Sequence, residues 1–279
     1  MYKHDRDTKA GQIGGGNAST MTIGIVTDNV NDKGDYRVKV KFPTLPAGKS
    51  SGQQEESFWC RISAMGAGGG GRGAFWLPEK EDEVLVAFVN GDFNQAVVMG
   101  SMWNGMDKPP IANLDAKSAT GRFNADHGDF RGKADAKKND IRSFSSRAKH
   151  ELIFNDNAGS PRVTIHSGQK HRIVLNDDGN QPSKIEIYDG KEENYVLIDT
   201  KNKKITIESK TGDILIKAKE KVRIEAKVIE TESSQQTQCK AGTNYEIKAG
   251  ANVKVSAGGN MDLTASGTMT EKAAIIKLN

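Results

Sequence analysis

The chain of 279 residues carries 40 Lys+Arg against 36 Asp+Glu, a formal charge of +4, with 35% hydrophobic and 27% charged residues. That balance lacks the basic footprint of a nucleic-acid binder, and the composition is globular but lean in core material. No apolar run approaches the roughly 18 to 20 residues of a membrane-spanning helix, the N-terminus lacks the apolar stretch of a secretory leader, and Cys60 and Cys239 form neither a disulfide scaffold nor a zinc module. A soluble chain assembled in the reducing cytoplasm is the expectation.

Residues 1–19 are polar and include Gly14-Gly15-Gly16, and they read as a flexible arm. From residue 20 to 108 apolar and polar residues alternate, as in Tyr36-Val38-Val40-Phe42, Phe58-Cys60-Ile62 and Val84-Val86-Phe88. This is the period of half-buried strands. Asn31-Asp32-Lys33-Gly34, Gly66 to Gly73 and Asn90-Gly91-Asp92 supply turn chemistry between them. Five or so short strands predict a small antiparallel barrel, because closure removes exposed edges. All three tryptophans, Trp59, Trp76 and Trp103, fall in this part, and they are expected as core or inter-chain contacts.

Lys108-Pro109-Pro110 ends the barrel, since a proline pair donates no backbone hydrogen bond. Residues 109–140 show neither strand nor helix period and read as a connector. From Ile229 onward, pairs at x and x+2 recur every eight positions: Ile229/Thr231, Thr237/Cys239, Tyr245/Ile247, Val253/Val255, Met261/Leu263 and Met269/Glu271. Gly242, Gly250 and Gly258 keep the same step, and Ile205/Ile207, Ile214/Ile216 and Val222/Ile224 precede it with a looser one. Residues two apart share one face of a strand, and glycine supplies a corner, so each octad is one short strand and one bend. Burying two aliphatic side chains falls short of the entropy lost in fixing eight backbones, so an octad needs ladders above and below. One chain winding three octads per coil or three chains contributing one strand per level would provide them. The well-registered part yields only about two single-chain coils, which favours three chains.

Gly24-Ile-Val-Thr-Asp-Asn, Tyr36-Arg-Val-Lys-Val-Lys-Phe-Pro, Ser57-Phe-Trp-Cys-Arg-Ile-Ser, Gly73-Ala-Phe-Trp-Leu-Pro, Asp82-Glu-Val-Leu-Val-Ala-Phe and Val97-Val-Met-Gly-Ser-Met-Trp-Asn-Gly together resemble the OB barrel of the VgrG and contractile-phage baseplate spike family. Lys149-His-Glu-Leu-Ile-Phe-Asn-Asp, followed by octads, resembles the start of that family's spike. The resemblance implies an all-β chain: an OB-fold barrel at 20–108, then an intertwined trimeric triple-stranded β-helix at 141–279. It implies a structural membrane-piercing spike of a phage tail-like particle or type VI-like apparatus, without enzymatic activity or cofactor, in transient contact with a target envelope. Ile229, Cys239, Tyr245, Ile247, Val253, Val255, Met261 and Leu263 would form the axial core. The hub domains that precede the barrel in that family have no room here, so a separate hub protein at the N-terminal side, or truncation of a longer chain, is implied, with residues 1–19 as a flexible or hub-docking arm. A tip protein of the PAAR-repeat kind would cap Ile275, Ile276 and Leu278.

Other chemistry has little support in the residues. Gly66 to Gly73 satisfies GxGxxG twice, but no Gly-Lys-Ser/Thr or βαβ context follows, so a barrel loop is expected. Asp28 to Asp35 and Asn176 to Asn180 resemble calcium-loop fragments without the twelfth-position Glu, and hairpin turns are expected there. His166 or His171 would make a three-His site only if it pointed at a three-fold axis. No GxSxG or HExxH is present. The alternative functional reading is a trimeric polysaccharide-binding or cell-wall-degrading fibre, and a third is a monomeric solenoid with a nucleic-acid-binding barrel.

Overall fold

Residues 21–31, 34–43, 57–107, 109, 140–179 and 183–277 are described by a computed structural model. The arm at 1–19, nearly all of the connector and Leu278 lie outside these residues. The chain divides into two units, Met1–Leu215 and Ile216–Asn279.

Alternating valines close the first sheet. Its strands are β1 (Met21–Asp28), β2 (Arg37–Lys41), β3 (Ser57–Ile62), a small hairpin β4 (Ala67–Gly68) and β5 (Arg72–Gly73), β6 (Glu83–Phe88) and β7 (Ala96–Ser101). A closed barrel forms in the order β1-β2-β3-β7-β6. The seam between β3 and β7 is parallel, with Arg61 opposite Val97. A ring of five strands cannot alternate direction all the way round, so one seam of the expected antiparallel barrel has to be parallel. Val26, Val38, Val40, Cys60, Val84, Val86 and Val98 are fully buried inside, and Phe88 packs against Phe42 and Phe93 with ring centroids 5.5 and 4.6 Å apart. Gly24 is required by this closeness, because a Cβ there would sit 2.3 Å from Val40 Cγ1.

The tryptophans are not in that core. Trp59, Trp76 and Trp103 are 37%, 58% and 63% exposed. Trp59 occupies the outward parity of β3 beside buried Cys60, and a barrel lined by valines leaves no room for indoles. Gly66 to Gly73 is an ordered β4–β5 hairpin rather than a plain loop.

Residues 141–209 form a seven-stranded meander: β8 (Ile141–Ser145), β9 (Glu151–Asn155), β10 (Arg162–His166), β11 (Arg172–Asn176), β12 (Lys184–Tyr188), β13 (Asn194–Asp199) and β14 (Lys204–Ser209). Each pairs antiparallel with the next. Tight turns with one left-handed residue each, Lys149 (φ 61°), Lys170 (φ 65°) and Glu192 (φ 60°), return the chain along one edge. The first half of the region expected as β-helix is therefore a sheet that each chain builds alone.

Beyond Ser209 the organisation changes. Extended stretches alternate with bends at 219–220, 227, 234–235, 242–243, 250–251, 258–259, 266–267 and 274, which is the eight-residue step of the sequence. Among the described residues, 211–277 form no strand and no backbone–backbone hydrogen bond. Every residue from 210 to 277 is exposed.

Candidate functional site

The meander has two faces of opposite character. Strand parity places Phe144, Leu152, Phe154, Val163, Ile165, Ile173, Leu175, Ile185, Ile187, Val196, Ile198, Ile205 and Ile207 on one face. Most of these side chains are largely exposed, from Phe154 at 37% to Ile205 at 67%. A contiguous apolar face of this extent is the mark of an interaction surface.

The other face carries a linked polar row beside the buried Ile153, Thr164 and Val174. Ser145 Oγ donates to Glu151 (3.1 Å), and both ring nitrogens of buried His166 meet acceptors, Nε2 the Glu151 carboxylate (2.7 Å) and Nδ1 the Ser167 carbonyl (3.0 Å). Arg172 pairs with Glu192 (2.6 Å) and lies over the Tyr188 ring (4.5 Å), which stacks on Tyr195 (5.1 Å). The Tyr195 hydroxyl donates to Glu208. That carboxylate holds the Tyr195 phenol above its usual range, while burial raises Tyr188. These residues form one cross-strand row, the sheet's unit of stabilisation. The polar groups of this row are thus linked to one another, while the large apolar side chains of the opposite face lie open to solvent.

The same apolar pattern continues through the octads. Ile229, Tyr245, Ile247, Val253, Val255, Met261 and Leu263 are exposed large hydrophobics, and Cys239 is an exposed free thiol. Each segment of the expected axial core lies between two bends. Among the described residues nothing brings these side chains together. At the C-terminal end Ile275 and Ile276 are exposed too, and Leu278 lies outside the described residues.

The remaining polar candidates are engaged in turns. Asp28 Oδ1 accepts from the Val30 N–H (3.3 Å) and pairs with Lys80 (3.2 Å), and Asn176 Oδ1 accepts from the Asp178 N–H (3.1 Å). His171 Nδ1 accepts from the Gly190 N–H (3.0 Å). Among the described residues, no group of three or more His, Cys, Asp or Glu side chains is placed to hold a metal ion. Burial pushes the Cys60 thiol up to about 12, so it is not a nucleophile at neutral pH.

One surface was missed in the sequence. Met21, Ile23, Leu85, Ala87, Val97 and Met99 are the outward halves of β1, β6 and β7 and form an apolar wall, whereas β2 and β3 turn Arg37, Lys39, Lys41, Trp59 and Arg61 outward. The signal was present in the residues skipped by the core-facing alternation.

Comparison with known proteins bears on this geometry. Residues 22–103 match the family model described as the type VI secretion system/phage-baseplate injector OB domain. The chain is 28% identical over 142 residues to the type VI secretion system spike protein VgrG3 of Vibrio cholerae serotype O1, covering 51% of this chain and 12% of that protein. It is 26% identical over 142 residues to the actin cross-linking toxin VgrG1 of the same species, covering 51% of this chain and 11% of that protein. The match thus spans about an eighth of the length of these relatives or less. The resemblance to the VgrG and phage-baseplate spike family is borne out, and the all-β fold with a closed barrel agrees with it.

Proposed function

We propose that this chain is the central spike subunit of a contractile injection apparatus, of the phage tail-like or type VI kind, and that it works as a homotrimer. The observation that carries the reading is the recurring series of exposed, mostly apolar pairs, from the outward face of the meander through Ile205/Ile207 to Met261/Leu263, with Thr231, Thr237 and Cys239 as its polar or small members. Three copies would turn these pairs toward a shared axis. The extended stretches between bends would then find ladder partners above and below, which a lone octad lacks. A closed prism of ladders resists bending and offers no edge from which to unravel. Rigidity is its activity, so the chain acts as a machine part and not as a catalyst.

The barrel side docks on the hub of the apparatus with residues 1–19 as an arm, and Ile275, Ile276 and Leu278 form the seat of a small PAAR-like tip protein. The spike is assembled in the cytoplasm and meets the target envelope on firing. Deleting residues 273–279 is expected to strip the tip protein from isolated particles while leaving the trimer intact. Retention of the tip protein would contradict the assignment of its seat. A producing cell without this chain is expected to yield no particles able to penetrate a target, and unimpaired penetration would remove the spike role itself.

A further inference from the structure

The meander's turns along one edge are stacked and share a pattern. They read Ser146-Arg147-Ala148-Lys149-His150, Ser167-Gly168-Gln169-Lys170-His171 and Asp189-Gly190-Lys191-Glu192-Glu193. The first two close identically. The Ser146 and Ser167 N–H groups donate to the His150 and His171 carbonyls (both 2.9 Å), and the histidine N–H groups donate back to the serine hydroxyls (3.1 and 3.2 Å). This presents each imidazole to the following turn. The Gly168 N–H donates to His150 Nδ1 (3.3 Å), and the Gly190 N–H donates to His171 Nδ1 (3.0 Å).

Glycine is obligatory at both places. A Cβ at 168 would lie 2.3 Å from the Ala148 carbonyl oxygen, and one at 190 would lie 2.0 Å from that of Gln169. Successive turns therefore touch backbone to backbone, and the imidazole is the acceptor that meets the glycine N–H at this surface contact. The device occurs twice, which sets it apart from a chance contact. A ring nitrogen accepts only while it carries no hydrogen. In the third turn Glu193 stands at the position of the histidines, and its carboxylate accepts from the Thr211 hydroxyl (3.5 Å).

We propose that His150 and His171 are acid-release staples: a proton arriving on either Nδ1 sets a donor against the glycine N–H, so the turn stack is closed at neutral pH and loosened in mild acid. The charged groups around the stack are Arg147 and Lys149 in the first turn, Lys170 in the second, Asp189, Lys191, Glu192 and Glu193 in the third, and Lys210, whose ammonium donates to the Glu192 carbonyl (2.8 Å). Arg147 is paired with Glu79 of the barrel (3.2 Å), and the adjoining strands add His166 with Glu151 and Arg172 with Glu192. The three carboxylates of the third turn are engaged elsewhere, Asp189 by the Glu193 N–H and the Asn194 amide, Glu192 by Arg172 and Glu193 by the Thr211 hydroxyl. His166 is a contrast, since both of its nitrogens face acceptors and a proton there breaks nothing. The device is built inside one chain and does not depend on the proposed trimer.

The test is backbone hydrogen exchange of the full-length protein between about pH 7.5 and about pH 5, the range in which imidazoles change charge. Segments 167–171 and 189–193 are expected to lose protection about two- to tenfold beyond the change in intrinsic rate, the worth of one hydrogen bond each, while the barrel does not. In His150→Asn/His171→Asn the amide oxygen accepts without titrating, so the loss should vanish. An acid response equal to that of the parent, or no response in the parent, would overturn the proposal. Imidazole nitrogen spectra of the unsubstituted protein decide the matter independently of the variant. Hydrogen on Nε2 of both residues at neutral pH is expected, and hydrogen on Nδ1 of either would refute it.

Discussion

Truncating Ile247 to alanine separates a lone chain from a braided one. In the single chain Ile247 is 63% exposed on an extended stretch between two bends. If it remained so, Ile247→Ala would shift stability by no more than about 0.5 kcal/mol, the range of surface substitutions. If three copies turn Ile247 toward a common axis, each loses a packed side chain worth about 2–5 kcal/mol, or about 6–15 kcal/mol for the trimer. Glu246, one residue away, points to the other side of the same stretch and pairs only with exposed Lys248 (2.6 Å). Such a surface pair contributes about 0–1 kcal/mol, so Glu246→Ala is the internal control. The assay is the denaturant midpoint of both variants at one fixed protomer concentration, because assembly makes stability concentration-dependent. Should Ile247→Ala prevent folding, Ile247→Val preserves the test at about 0.5–1.5 kcal/mol per chain. Matching midpoints for the substitutions at 246 and 247 would refute the inward assignment.

Further outcomes follow from the same geometry. If three copies braid as proposed, neither cysteine should react with a thiol reagent at neutral pH, Cys60 because its thiol is buried and pushed up to about 12, Cys239 because the shared axis would cover a thiol that the single chain leaves exposed. Labelling of Cys239 in the native protein would show the octads open. Gly24→Ala should destabilise the barrel by about 1–3 kcal/mol through overpacking against Val40, with no change in subunit number, as read by thermal unfolding and light scattering. Asp92, Asp189 and Asp199 are held below the usual carboxylate range, chiefly by the Asn94 N–H, the Asn194 side-chain amide and the Asn202 N–H respectively. A folded value below the unfolded one gives stabilisation that is present above about pH 4 and lost as pH falls through the folded value. Asp199→Asn should therefore flatten the fall in unfolding midpoint at acid pH. An unchanged slope would contradict the turn assignment.

What could be read from the sequence divides along a physical line. Val38-Val40, Val84-Val86-Phe88 and Phe58-Cys60-Ile62 revealed the barrel because alternation follows from the pleat, and the glycines at 242, 250 and 258 marked the octad corners because bends favour small residues. Of the two places expected for the tryptophans, the core is ruled out, because strand parity puts Trp59 outside and the valine-lined interior has no room for it. The meander at 141–209 escaped because its repeat lies in the turns rather than in its strands. Ser146/His150 and Ser167/His171 recur at a step of 21, and Asp189/Glu193 follow at 22 with different residues serving the return bond to the turn's first side chain. The His-to-Gly staple joins residues 18 and 19 apart and belongs to no motif of local spacing. The axial-core residues were legible as a pattern, yet a single chain leaves them in solvent, because the surface that would bury them belongs to other copies.

The measurement closest to the central claim is the mass of the purified protein in solution, followed by light scattering through serial dilution. Three times the chain mass of 30.2 kDa, persisting on dilution and resistant to protease throughout 211–277, is the expected result. A folded, protease-resistant species of 30.2 kDa would contradict it.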